Sequence, residues 1–141
     1  MKNLIARHLL VVLAATSVIL PAWAADPVSD AARVKQQASE IPALQKAAAI
    51  AADWEAITVR SAAHQITVTV SGSPLTHSAE REAQASKIVA AVETGIEKKP
   101  AFAQISVIHM NYVKLVGQGK SAAQGFDYYQ TPAGAFVPHK T

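Results

Sequence analysis

The chain has 141 residues, with thirteen Lys and Arg against ten Asp and Glu, and it contains no cysteine. The absence of cysteine excludes a disulfide framework and a lipid-modified cysteine. The net charge of +3, spread without a clustered basic face, excludes the phosphate-neutralising surface on which nucleic-acid binding depends.

At the N-terminus Lys2, Arg7 and His8 precede an apolar run from Leu9 to Leu20. A spanning helix needs about 20 apolar residues, so this run is too short to cross a bilayer comfortably. Pro21 and then Ala22-Trp23-Ala24 follow, with small residues at the two positions a signal peptidase reads. A charged start, a short apolar core and such a site make residues 1–24 a secretory signal peptide. Cleavage after Ala24 leaves Ala25–Thr141, 117 residues. Lys2 and Arg7 leave with the signal, so thirteen basic residues become eleven against ten acidic ones, a net charge of +1. The expected product is one domain outside the cytoplasm, most simply in a bacterial periplasm, since domains of about 100–150 residues fold around a single core. No second apolar stretch of the mature chain is long enough to span a membrane.

Residues 25–53 read as a helical segment. Asp26, Pro27, Ser29 and Asp30 are helix-starting types, and Val34 and Ala38 share a face of the polar stretch that follows. Pro42 then interrupts, and Leu44, Ala47, Ala48 and Ala51 resume the helical spacing. Two short helices or one kinked helix are expected over Asp30–Ala52, with Pro42 in the first turn of the second, where its missing N–H costs nothing.

From Trp54 the period changes from 3.6 to two. Ile57 and Val59 alternate with Thr58 and Arg60, and Ile66, Val68 and Val70 alternate with Gln65, Thr67 and Thr69. Alternation rich in β-branched residues predicts an antiparallel pair, one face in the core and a threonine-rich face toward water. Ser78 is a candidate cap for a helix whose apolar stripe is Ala85, Ile88, Val89, Val92 and Ile96. Gly95 is the candidate left-handed C-terminal cap, with Lys98, Lys99 and Pro100 marking the stop. A third strand is expected from about Phe102. Ile105 and Val107 lie on one side of it, and Ile108, Met110 and Tyr112 on the other, so both faces are apolar, as in a central strand. The tail at 117–141 carries Phe126, Tyr128, Tyr129 and Phe136 among Gly and Pro, and reads as a short edge strand and an extended end.

The order defines an α+β fold: N-terminal helices, then a β-β-α-β(-β) unit over 54–116 and beyond, with a small mixed or antiparallel sheet and helices on one face. The run ITVRSAAHQITVTVSG, with the alanine-rich helix through ASKIVAAV and the strand after it, resembles the BON domain of bacterial envelope proteins. That resemblance covers about half of the mature chain and implies an association with membranes or phospholipid. The glycine which that family places in the strand-to-strand turn is missing here, so the likeness is one of topology and carries no site residue.

Chemical motifs are few. Gly119-Lys120-Ser121 looks like the tail of a phosphate-binding loop, but the glycine required five residues earlier is Lys114, and Gly125 and Pro132 soon interrupt the helix that should follow. A turn after the third strand is the better reading. His64, His77, His109 and His139 have no close metal-ligand spacing, and no Gly-x-Ser-x-Gly, Ser-x-x-Lys or cysteine supports nucleophilic catalysis. Neither a metal nor a cofactor is expected, and an enzymatic role is the less favoured reading. His109 reads first as a core or sheet-edge histidine and second as a ligand-binding residue. Glu80, Glu82, Glu93 and Glu97 read as solvated helix charges. What remains is binding: Phe126, Tyr128, Tyr129 and Phe136 are the interface candidates, because aromatic side chains on a Gly/Pro-punctuated backbone recur at interfaces. The sequence reading is therefore an exported accessory protein that meets an envelope protein. A small-ligand or metal carrier using His109 with tail residues, and a small envelope hydrolase, are the alternatives.

Overall fold

A computed structural model describes residues 30–117 and 119–139, with the backbone alone for 115, 116 and 120–123. The signal peptide read at 1–24 lies outside the described residues. The elements are α1 (Asp30–Ala52), β1 (Ile57–Ala62), β2 (Gln65–Ser71), α2 (Ser78–Ile96), a 3-10 turn (Pro100–Phe102), β3 (Val107–Val116), β4 (Gly119–Gln130) and β5 (Phe136–Pro138). The five strands lie side by side in chain order. Only the β2–β3 pair is parallel, because α2 carries the chain back across the sheet between them, and all other pairs are antiparallel hairpins. The fold is α+β with a mixed sheet.

Both helices cover the same face. Ile57 and Val59 of β1, Ile66, Val68 and Val70 of β2, Ile108, Met110 and Tyr112 of β3, and Tyr128 of β4 point into one core. Leu44, Ala48 and Ala52 of α1 close it, together with Ala85, Ile88, Val89, Val92 and Ile96 of α2. These five are the whole buried set of α2, so its stripe lies where the 3.6-residue period put it.

Several local expectations are corrected. Of the two forms expected over Asp30–Ala52 the chain takes the single one, a 23-residue helix, with Pro42 inside it rather than in the first turn of a second helix. The carbonyl that Pro42 frees belongs to Ala38, and both residues lie on the exposed side of α1, where water can satisfy it. Val34 is exposed at 59%. The residue that packs inward on that half is Gln37, whose amide donates to Ala101 O at 2.7 Å and accepts from Ser61 Oγ at 3.0 Å. His77, not Ser78, is the N-cap of α2, and it makes no side-chain cap bond. Gly95 is not the C-terminal cap but a helical residue at the crossing of α1 and α2, where a Cβ would collide with Leu44 Cδ2. The left-handed position after α2 is taken by Lys98, with φ 60°.

Strand β3 begins at Val107 rather than near Phe102. Pro100–Phe102 form the 3-10 turn, with Ala101 and Phe102 buried. As its two apolar sides suggested, β3 is the middle strand of the five. The tail departs most from expectation. It supplies a 12-residue inner strand, β4, and leaves the edge to the three residues of β5. A register shift at Tyr112/Val113 marks a bulge between β3 and β4.

Candidate functional site: the open face of the sheet

The helices leave the other face of the sheet without a second layer among the described residues. Strand register arranges its side chains in rows. One row runs Arg60, Thr67, His109, Asp127, and the next runs Gln65, Val107, Tyr129, Val137. Cross-strand neighbours on one face stand about 4.5–5.5 Å apart at Cβ, so each row is a chain of touching positions.

His109 and Asp127 form the centre of this face. Nδ1 of His109 lies 2.5 Å from Oδ1 of Asp127. A carboxylate only accepts, so Nδ1–H of His109 donates to Asp127, and Nε2 is the ring's second polar atom. The ring lies against Gly125, where an added Cβ would stand 3.3 Å from His109 Cε1. Glycine in β4 thus makes room for the imidazole that β3 sends across. The pair is partly open, with side-chain exposures of 32% and 43%. Its environment is therefore screened by water, and its contribution to stability is small.

Such a pair can accept a proton at Nε2 or offer one nitrogen to a cation. No further acidic, basic or nucleophilic side chain of the described residues bonds to the pair. The hydroxyl opposite His109 is Thr67 Oγ1, which accepts from Gln65 Nε2 at 3.0 Å. Among the described residues no group of three or more His, Asp or Glu side chains could hold a metal ion. His64 instead contacts Gln104 O through Nδ1 at 3.1 Å, and His77 lies 3.3 Å from Glu80 Oε2. The ring of His139 stands at 4.9 Å, edge-on, from Tyr129.

The four aromatic candidates separate by side. Tyr128 and Phe136 are buried at 2% and 8%, and Phe126 packs against the core in an edge-on contact with Tyr112 at 6.0 Å. These three point toward the helices and hold the domain together; they are not a surface. Tyr129 alone faces out, 44% exposed beside Val137 at 44%. The hydroxyl of Tyr128 lies 3.2 Å from Ser86 Oγ on α2. Burial raises its pKa above the usual tyrosine value, the Ser86 hydrogen bond opposes this, and the Glu82 charge adds to the rise. Burial also raises Tyr112, with Tyr128 adding and the Arg81 cation opposing. The Tyr112 hydroxyl proton is shared between Arg81 O at 3.0 Å and Gln84 Oε1 at 2.9 Å.

Asp127 was missed as a partner because sequence reasoning could not pair positions 109 and 127. The available signal was the period of two in β4, which puts Gly125, Asp127 and Tyr129 on one face once the segment is known to be a strand. At the phosphate-loop lookalike the chain makes a β-hairpin: Gly117 turns with φ 57°, and Gly119, Lys120 and Ser121 enter β4 instead of opening a helix. The chain matches no family model, no curated protein and no solved structure.

Proposed function

We propose that this is an exported binding protein that meets a protein partner through the open face of its sheet. The observation that carries the reading is the pair Tyr129 and Val137, set side by side in register and exposed on a face that neither helix covers. Tyrosine offers a large, stiff contact area with a polar tip, and a central aromatic with an apolar neighbour and a polar surround is the pattern of an interface anchor. His139 against Tyr129 and the His109–Asp127 pair supply the polar surround. The charged start and the Ala22-Trp23-Ala24 site support export.

A photoreactive residue placed at Tyr129, and another at Thr94 on the outer side of α2, test the contact in living cells. A discrete cross-linked species from position 129 and none from position 94 is the expected result. Equal patterns from both positions, or none from either in well-folded protein, would sink the reading. Export is checked on the same material: its mass should correspond to a chain beginning at Ala25, in the fraction outside the cytoplasm. The ligand-carrier alternative has one observation of its own, the partly exposed His109 side chain oriented by Asp127. It requires the His109 ring resonances to shift on titration with a small ligand.

A further inference from the structure

The two edges of the sheet are finished differently. β5 is three residues long and contains Pro138, which cannot donate to a neighbouring strand. β1 has six residues and no proline. The N–H of Val59 points away from β2, because it donates to Gln45 Oε1 of α1 at 3.2 Å. Residues two apart in an antiparallel ladder point the same way, so Val59 C=O and the N–H and C=O of Ser61 also face outward. No side chain of the described residues bonds to these three groups. Helix α1 thus covers the edge at one point, and no other described residue bonds to Val59 C=O or to the N–H and C=O of Ser61.

Beside that open stretch is a groove of about 390 Å³ between α1 and β1. Val34, Ala38 and Ile41 form its apolar side, with Val34 exposed at 59%. Its charged lining residues are Arg33 and Arg60, and no carboxylate lines it. Arg33 is engaged by Asp30 and Gln104, whereas Arg60 has no ion-pair partner among the described residues.

We infer that the β1 edge is a second binding site, one that captures an extended peptide segment of another protein as a sixth strand. Main-chain hydrogen bonds to Val59 C=O and to the N–H and C=O of Ser61 hold the segment, and its alternating side chains choose it. Those on the helix side enter the groove against Val34, Ala38 and Ile41, so they are apolar. Those on the open-face side lie beside Arg60, so they are acidic. The bound segment has alternating apolar and acidic residues. A second copy of this chain fits less well in the register that uses Val59 and Ser61 together, because a two-fold axis through Arg60 sets one Arg60 against another, and like charges opposite each other destabilise a sheet. This site is separate from the open-face patch, and the experiment on one does not decide the other.

The test uses the processed protein and two fluorescein-labelled octapeptides, one alternating Val and Glu and the other Val and Lys, followed by fluorescence anisotropy. The Val/Glu peptide is expected to bind saturably, with slowed amide exchange at Ser61, and the Val/Lys peptide not to bind. Ser61→Pro removes the outward N–H while leaving the β2 ladder intact, and should weaken binding about tenfold, the loss of roughly one main-chain hydrogen bond. Arg60→Glu, on the exposed side of the strand, should transfer preference to the Val/Lys peptide and keeps the test decisive if Ser61→Pro does not fold by circular dichroism. The inference is overturned if neither peptide saturates the folded protein, if both bind alike, or if folded Ser61→Pro binds as the parent does. A dimer by sedimentation that Ser61→Pro dissociates would overturn it in favour of a second copy.

Discussion

Tyr128 and Tyr129 are neighbours in β4, and one is sealed against α2 while the other stands open beside Val137. The same contrast extends across the sheet. Toward the helices the strands present mainly buried apolar side chains, whereas away from them they present Thr, Arg, His, Asp and Tyr along with Val107 and Val137. The covered face holds the fold, and the open face contributes little buried apolar area to it. The reason is that burial of apolar area stabilises at about 25 cal/mol per Å², and among the described residues only one face has a second layer to bury against.

The sharpest way to test the contrast is one substitution on each face of neighbouring strands. Ile108→Ala removes a fully buried side chain from the central strand and should lower stability by about 2–5 kcal/mol in urea or thermal melts. Thr69→Ala on the opposite face should stay within about 0.5 kcal/mol. If both changes cost the same, the open face is not open in solution.

Gly95→Ala tests the helix layer alone. The methyl gains about 1 kcal/mol of helix propensity, but it collides with Leu44 in a packed crossing, where overpacking costs about 1–3 kcal/mol. A net loss of about 1 kcal/mol is expected, and a gain would show that Leu44 can move aside.

The covered face should also show in the alkaline limb of stability. Tyr112 and Tyr128 have raised pKa values in the folded protein. Below about pH 10 an unfolded-chain tyrosine is neutral as well, so their contribution is fully present there. As pH rises past that value, the unfolded state releases protons that the folded state keeps, and stability falls. Melting temperature should decline above pH 10, and Tyr112→Phe with Tyr128→Phe should flatten the decline. Absorbance titration should show two of the three tyrosines ionising only as the protein unfolds.

The smallest effect belongs to the open face. Asp127→Asn should cost under about 1 kcal/mol, as expected for a partly exposed hydrogen-bonded pair. A loss of several kcal/mol would mean that the His109–Asp127 pair is structural.

Much of the covered face was legible in the sequence. The alternation through Ile57, Val59, Ile66, Val68 and Val70 and the stripe through Ala85, Ile88, Val89, Val92 and Ile96 are periodic, and period depends only on local chain geometry. The failures fall where periodicity is weak or where a contact spans the chain. Gln37 and Gly95 owe their places to Ala101 and Leu44, 64 and 51 positions away. The Gly and Pro neighbours of β4 resemble a loop in the sequence, whereas pairing with β3 on one side and β5 on the other makes it an inner strand.

The open-face site was read residue by residue without its assembly. His109 and Tyr129 could be named in advance, but Asp127 could not be attached to His109, nor could Tyr128 be separated from Tyr129. By itself, the sequence determined the element types, the faces of the regular strands and of α2, and the absence of cysteine chemistry, because each follows from composition or from short-range periodicity. Only the tertiary structure decided the β3–β4 register, and with it the His109–Asp127 pair, the inward turn of Tyr128 and Phe126, and which strand edges stay open. Register is a relation between distant segments, and a slip of one residue would turn every side chain of β4 to the other face.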